Sequence, residues 1–119
     1  MMLLRVVTSP DRAPAILDAL LAVGIAGMTI TDVRGPSTQQ RHRVSYRGTE
    51  YDVSFVPRVE IQMVMPEAWV PDAINEIMEV ARDASAGENR IFVLPVEASY
   101  RIRTGDVEVS ADAAVPWFL

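Results

Sequence analysis

Val59-Glu60-Ile61-Gln62-Met63-Val64-Met65 is followed, after Pro66-Glu67-Ala68-Trp69, by Val70-Pro71-Asp72-Ala73-Ile74-Asn75-Glu76-Ile77-Met78-Glu79-Val80-Ala81, and the change of period between the two runs decides the fold class. In the first run Val59, Ile61, Met63 and Met65 alternate with Glu60, Gln62 and Val64, the period of a strand. In the second, Val70, Ala73, Ile74, Ile77, Met78 and Ala81 keep helical spacing while Asp72, Asn75, Glu76 and Glu79 fall outside the stripe, so an amphipathic helix packs on a sheet. Upstream, Leu3, Leu4, Val6 and Val7 are apolar on both phases, which suits a strand in the middle of that sheet. Asp11 is placed to cap a first helix that tolerates Pro14 in its first turn, carries Ala13, Ile16, Leu17 and Leu20 on one stripe, and stops at Gly24. Gly27 to Val33 reads as a second strand. Downstream, Ile91 to Arg103 reads as one long strand with Phe92, Leu94, Val96, Ala98, Tyr100 and Ile102 on one face, Pro95 marking an edge position or a bulge. The order is βαββαβ, an α+β domain with an antiparallel sheet.

A chain of 119 residues fits one domain, 1–119, with room for a core. Eleven basic against sixteen acidic residues give a formal charge of -5, which argues against nucleic acid as the main partner and requires any anion to be bound by a local site. With no cysteine there is neither disulfide nor thiolate cluster, and the single histidine, His42, leaves little for zinc. Apolar stretches are far short of a membrane span, and Met1-Met2-Leu3-Leu4-Arg5 has no signal-peptide layout, so the expected location is cytoplasmic. Two helices cover only one face of such a sheet, while several apolar side chains point to the other. Either a homo-oligomer buries them, or strand twist and the long connection between strands 2 and 3 hide them within one chain.

That connection holds Tyr46-Arg47-Gly48-Thr49-Glu50-Tyr51, two tyrosines, an arginine and an acid without apolar periodicity, which reads as a displayed surface. Arg101 and Arg103, two apart on the expected last strand, would project from one face roughly 7 Å apart. Paired guanidiniums match phosphate oxygens, although an isolated R-x-R is also an ordinary solvated strand end. Arg90 follows Gly87-Glu88-Asn89, where a turn can aim backbone N–H groups at an anion.

Three phrases together resemble the PII signal-transduction family. Tyr46 to Tyr51 is similar to its T-loop Y-R-G-x-E-Y, Val23-Gly24-Ile25-Ala26-Gly27-Met28-Thr29 to its turn V-G-I-x-G-M-T, and Arg101-Ile102-Arg103-Thr104-Gly105-Asp106 to its R-I-R-T-G-E loop. The resemblance runs from Leu3 to about Asp106 and implies a ferredoxin-like homotrimer with a T-loop at about 36–56, a B-loop at about 83–90, and a C-loop and tail at about 101–119. It implies adenine-nucleotide binding (ATP, ADP or AMP) between subunits, and loops that report nucleotide and 2-oxoglutarate state to target transporters or enzymes.

By that resemblance Gly35, Gln39, Gly87, Arg90, Arg101 and Arg103 match nucleotide-site positions and Thr29 lies near the adenine. Gln39 also matches a position that helps to hold Mg²⁺, and Arg58 stands where a lysine pairs with 2-oxoglutarate. Tyr51 matches the tyrosine that accepts a nucleotidyl group in many bacterial members, and is otherwise a contact residue. The chain departs from the pattern in several places. Arg58 keeps the lysine's charge with another reach and fork geometry. Gly35-Pro36-Ser37-Thr38-Gln39-Gln40-Arg41-His42 loses two glycines, and Asp83-Ala84-Ser85-Ala86-Gly87-Glu88-Asn89-Arg90 adds an acid beside the implied phosphate site. Asn89 there is able to take the left-handed conformation of a missing glycine. A di- or monophosphate is therefore expected to fit better than ATP, and the sensed anion is open between 2-oxoglutarate and another such as bicarbonate. The expected role is a sensor without turnover. The readings set against it are an acylphosphatase-like hydrolase, whose anion loop is missing from Thr8-Ser9-Pro10-Asp11, and a structural trimer of the copper-tolerance type, which has no use for the T-loop phrase. The apolar tail Val115-Pro116-Trp117-Phe118-Leu119 either docks on a neighbour or packs on its own domain.

Overall fold

The computed structural model describes residues 1–36, 42–53, 55–82 and 89–108. Four strands, β1 (Met2–Thr8), β2 (Met28–Pro36), β5 (Phe55–Met65) and β6 (Arg90–Pro95), form an antiparallel sheet in the order β2-β5-β1-β6. Helices α1 (Ala13–Ala22) and α2 (Val70–Ala81) pack together on one face of it. This is the ferredoxin-like arrangement, with β1 between β5 and β6 as its two-phase apolar pattern predicts.

Register explains the core. Leu4 is opposite Met63, Val6 opposite Ile61 and Thr8 opposite Val59, so alternate residues of the two central strands share the face that meets the helices. Leu4, Ile61, Ile16, Leu20 and Ala73 are fully buried there. The expected stripe of α2 is accurate except at Met78, which is 44% exposed. A 3₁₀ turn, Glu67–Trp69, leads into α2, and Pro71 falls in the first turn, where its missing N–H costs nothing.

Asp11 does not cap α1. The N-cap position is Arg12, with no side-chain cap, and the Ser9 carbonyl accepts from the N–H groups of Arg12 and Ala13 at 3.1 and 3.2 Å. The Asp11 carboxylate instead takes the Ser9 hydroxyl and nearby backbone N–H groups, which hold its pKa below the ordinary value. Gly24 ends the helix as expected, at a φ of 91° that favours glycine.

The single long strand expected over Ile91 to Arg103 is wrong. β6 ends at Pro95, and Ser99–Tyr100 (β7) pairs instead with Val107–Glu108 (β8) in a separate hairpin. Proline cannot donate to the ladder, and the chain turns where Val96 N–H bonds the Met1 carbonyl. Alternation continued through Val96, Ala98, Tyr100 and Ile102 without a strand beneath it, and Ile102 is fully exposed. As expected of Pro95, β6 is an edge: among the described strands it pairs with β1 alone.

The connection between β2 and β5 also holds regular structure. β2 and β5 stay paired out to Pro36 and Phe55, and β3 (His42–Tyr46) pairs with β4 (Thr49–Val53) in a hairpin of their own. Its two-residue loop has φ of 52° at Arg47 and 77° at Gly48, the positive pair of a type I′ turn. Replacing Ile61, fully buried at the centre of β5, by Ala should cost about 2–5 kcal/mol, seen as a lower urea midpoint at unchanged slope.

Candidate functional site

The expected site residues fall at three separate places in one chain. The first is the base of the long connection. Gly35 on β2 is opposite Val56, and Arg58 on β5 is opposite Val33. A Cβ built at Gly35 would stand 3.6 Å from Nε and 3.8 Å from Cδ of Arg58, so the arginine's stem runs along the glycine. Arg58 is buried there and makes interactions within the chain. On the neighbouring pleat the Arg34 guanidinium lies 5.9 Å from the centre of the Phe55 ring, a cation–π contact worth about 0.5–1 kcal/mol at an exposed site. Thr29 is not in this group. It sits near the other end of β2, exposed, in the row Thr29, Gln62, Arg5, Phe92 across the sheet face that no helix covers. Arg5 Nε lies 3.4 Å from the Glu60 carboxylate on that face, and Gln62 donates to the same oxygen.

The second place is the start of β6. Arg90 is exposed and opposite Val7, in the row Thr31, Glu60, Val7, Arg90. Two strands separate it from β2, about 14 Å at ordinary strand spacing. Asn89 does not take the left-handed conformation; Arg47 alone does among the described non-glycine residues. Its side chain acts instead. The Asn89 Oδ1 accepts the Thr8 hydroxyl at 2.9 Å and the Ser9 N–H at 3.3 Å, tying the start of β6 to the end of β1 across 81 and 80 residues of sequence. Sequence reading missed this role, because Asn next to Gly and Glu signals a turn and carries no sign of its distant partner.

The third place is the β7–β8 hairpin. Arg101 and Arg103 lie in its loop rather than on a strand, so neither the strand spacing nor a face opposite Phe92 and Leu94 holds for them. The Arg101 N–H donates to the Asp106 carbonyl and the Gly105 N–H to the Arg101 carbonyl, both at 2.8 Å, with Gly105 at φ 76°. The Thr104 hydroxyl donates to the Asp106 carboxylate at 3.0 Å. Arg101 Nη2 stands 3.8 Å from Glu108 across the hairpin, whereas Arg103 is exposed and makes no ion pair among the described residues. Together Tyr100, Arg101, Ile102, Arg103 and Thr104 line a cavity of about 500 Å³.

Arg90 and the arginine loop do not meet. β6 runs from Arg90 to Pro95, about 17 Å at strand rise, and the hairpin follows its far end. Gln39 and Gly87 lie outside the described residues, as does the tail Val115 to Leu119. Tyr51 pairs with Val44 through the backbone of the β3–β4 hairpin. Among the described residues no group of three His, Asp or Glu side chains is placed to hold a metal, and no described helix is long and apolar enough to cross a membrane.

Sheet order, two helices on one face and a long β2–β5 connection define a ferredoxin-like α+β protein. The family model for Nitrogen regulatory protein P-II matches residues 1–106. Curated relatives of that name include one from Haemophilus influenzae, 42% identical over 97 residues (82% of this chain, 87% of the relative), and one from Azospirillum brasilense, 40% identical over 103 residues (87% and 92%). The P-II 1 protein of Escherichia coli K12 is 38% identical over 109 residues (92% and 95%). The chain belongs to the nitrogen regulatory protein P-II family.

The Asn89 tether is testable by itself. Asn89→Ala leaves the buried Thr8 hydroxyl and the Ser9 N–H without their acceptor and should cost about 1–3 kcal/mol of stability, with faster amide exchange at Ser9.

Proposed function

We propose that the chain is a signalling subunit without turnover of its own, which binds an adenine nucleotide between copies of itself and passes the bound state to a target protein through the β2–β5 connection. The observation that carries this is the separation of Gly35, Arg90 and Arg103 in one chain, with both arginines exposed. A polyphosphate that uses all three needs more than one copy. The uncovered sheet face supplies the reason to associate: Leu3, Val7 and Val64 are half-buried on it, and Phe92 and Leu94 are exposed. A homotrimer is the assembly this reading adopts.

Arg103 fits a phosphate contact better than Arg101 does, because the Arg101 guanidinium already stands beside Glu108 whereas Arg103 is exposed. Arg90 would reach the same phosphates from a second copy, and the base of the connection, where Gly35 lies against Arg58, would sense their number. Mg²⁺, when bound with the nucleotide, would neutralise phosphate charge, with Gln39 as its candidate protein ligand. The acid that Asp83 adds to the B-loop sequence favours a di- or monophosphate over ATP. An effector anion, 2-oxoglutarate or bicarbonate, would bind near Arg58, whose burial and internal interactions restrict it to a small ligand. The mechanism is a shift between loop states of different nucleotide affinity.

Arg103→Ala should leave the oligomer folded and weaken ADP binding by about 1.5–3 kcal/mol, the worth of a charge-assisted phosphate contact. Calorimetry with ADP and ATP, beside light scattering, tests this: a trimer that prefers ADP is expected. A monomer at micromolar concentration, or unchanged ADP affinity in the variant, would remove the proposal's basis.

A further inference from the structure

A cavity of about 300 Å³ opens between the last turn of α2 and the first residues of β6, on the helix side of the sheet. Val6, Ile16, Ile77, Met78, Ala81 and Ile91 wall it, and its polar groups include Thr8, Arg82 and Asn89. No carboxylate lines it among the described residues. Arg90 borders it too, but pairs with Val7 in the alternation of the opposite sheet face, whereas Ile91, paired with Val6, faces the cavity. The cavity therefore adjoins the nucleotide contacts assigned to Arg90 above at its rim, while its apolar interior lies on the other side of the sheet.

Its polar groups are donors by default. The Thr8 hydroxyl is spent on the Asn89 Oδ1, which also takes the Ser9 N–H, so the amide nitrogen of Asn89 is the group left for a ligand. Arg82 closes α2; its N–H is bonded to the Met78 carbonyl, and its exposed guanidinium makes no ion pair among the described residues. Aliphatic walls with one cation and one amide donor at the rim match an anion with a short apolar tail. The size is at the small end for ligand pockets, suited to a metabolite smaller than a nucleotide. The carbonyl end of α2 by itself disfavours an anion, so binding must depend on Arg82.

We propose that this cavity is a second ligand site, which takes a small amphipathic monocarboxylate with its tail on Ile77, Met78 and Ile91 and its carboxylate on Arg82 and Asn89. Sodium octanoate is the probe, titrated into the full chain with methyl NMR and calorimetry. Saturable binding is expected, with shifts of the Ile77, Met78 and Ile91 methyls. Arg82→Gln should weaken it by about tenfold or more, and Ala81→Met, which fills the cavity, should abolish it while the protein still melts cooperatively. Octylamine, of equal tail and opposite charge, should not bind there. The proposal is overturned if those methyls do not move, if Arg82→Gln binds octanoate as the parent does, or if octylamine binds equally well. None of these outcomes depends on nucleotide binding.

Discussion

Two helices cannot cover both faces of a four-stranded sheet, and the rest of this molecule follows from that geometric fact. Register between β1 and β5 gathers Leu4, Val6, Ile61 and Met63 under α1 and α2 and leaves Leu3, Val7 and Val64 on the other side. That second face is not a polar solvent face. At its centre Arg5 and Glu60 pair with each other, with Gln62 on the same carboxylate, while Arg90 stands at the start of the edge strand, so the apolar residues between them keep a surface compatible with another protein chain. Burial of such a face against further copies would place the strand ends and hairpins of different chains side by side, which is where the dispersed arginines need to be.

The fold was largely legible because period and burial agree. α2 and β5 could be read to the residue over most of their length, since the same side chains that repeat at helical or strand spacing are those that pack. Reading failed where pattern continued without hydrogen bonding beneath it. Past Pro95, alternation in Val96, Ala98, Tyr100 and Ile102 looked like strand, but a proline without a donor and a positive-φ Gly105 make a separate hairpin of the segment. In the β2–β5 connection the opposite happened. The hairpin there carries little apolar alternation, and its I′ turn uses Arg47 where asparagine would have announced it, so only Gly48 hinted at the pairing.

The candidate site was legible as residue types and not as geometry. Charge, spacing and resemblance selected Gly35, Arg58, Arg90, Arg101 and Arg103, and the structure brings Gly35 and Arg58 together. It separates the arginines and gives two of them local partners that sequence spacing cannot reveal: Arg58 lies against a glycine on another strand, and Arg101 stands beside Glu108. Asn89 is the clearest case. As a glycine substitute it suggested backbone freedom, yet its side chain acts as a tether to Thr8 and Ser9.

If the nucleotide site lies between copies, it must tolerate being mutated on one chain and repaired by another. Arg90→Ala chains and Arg101→Ala/Arg103→Ala chains, each unable to bind ADP alone, should regain part of the ADP sites when unfolded together and refolded as mixed oligomers. Calorimetry on the mixture gives the count of restored sites directly. Recovery of ADP binding in the mixture is the predicted result; a mixture as inactive as its two parents would place all three arginines' contacts within a single chain and contradict the account.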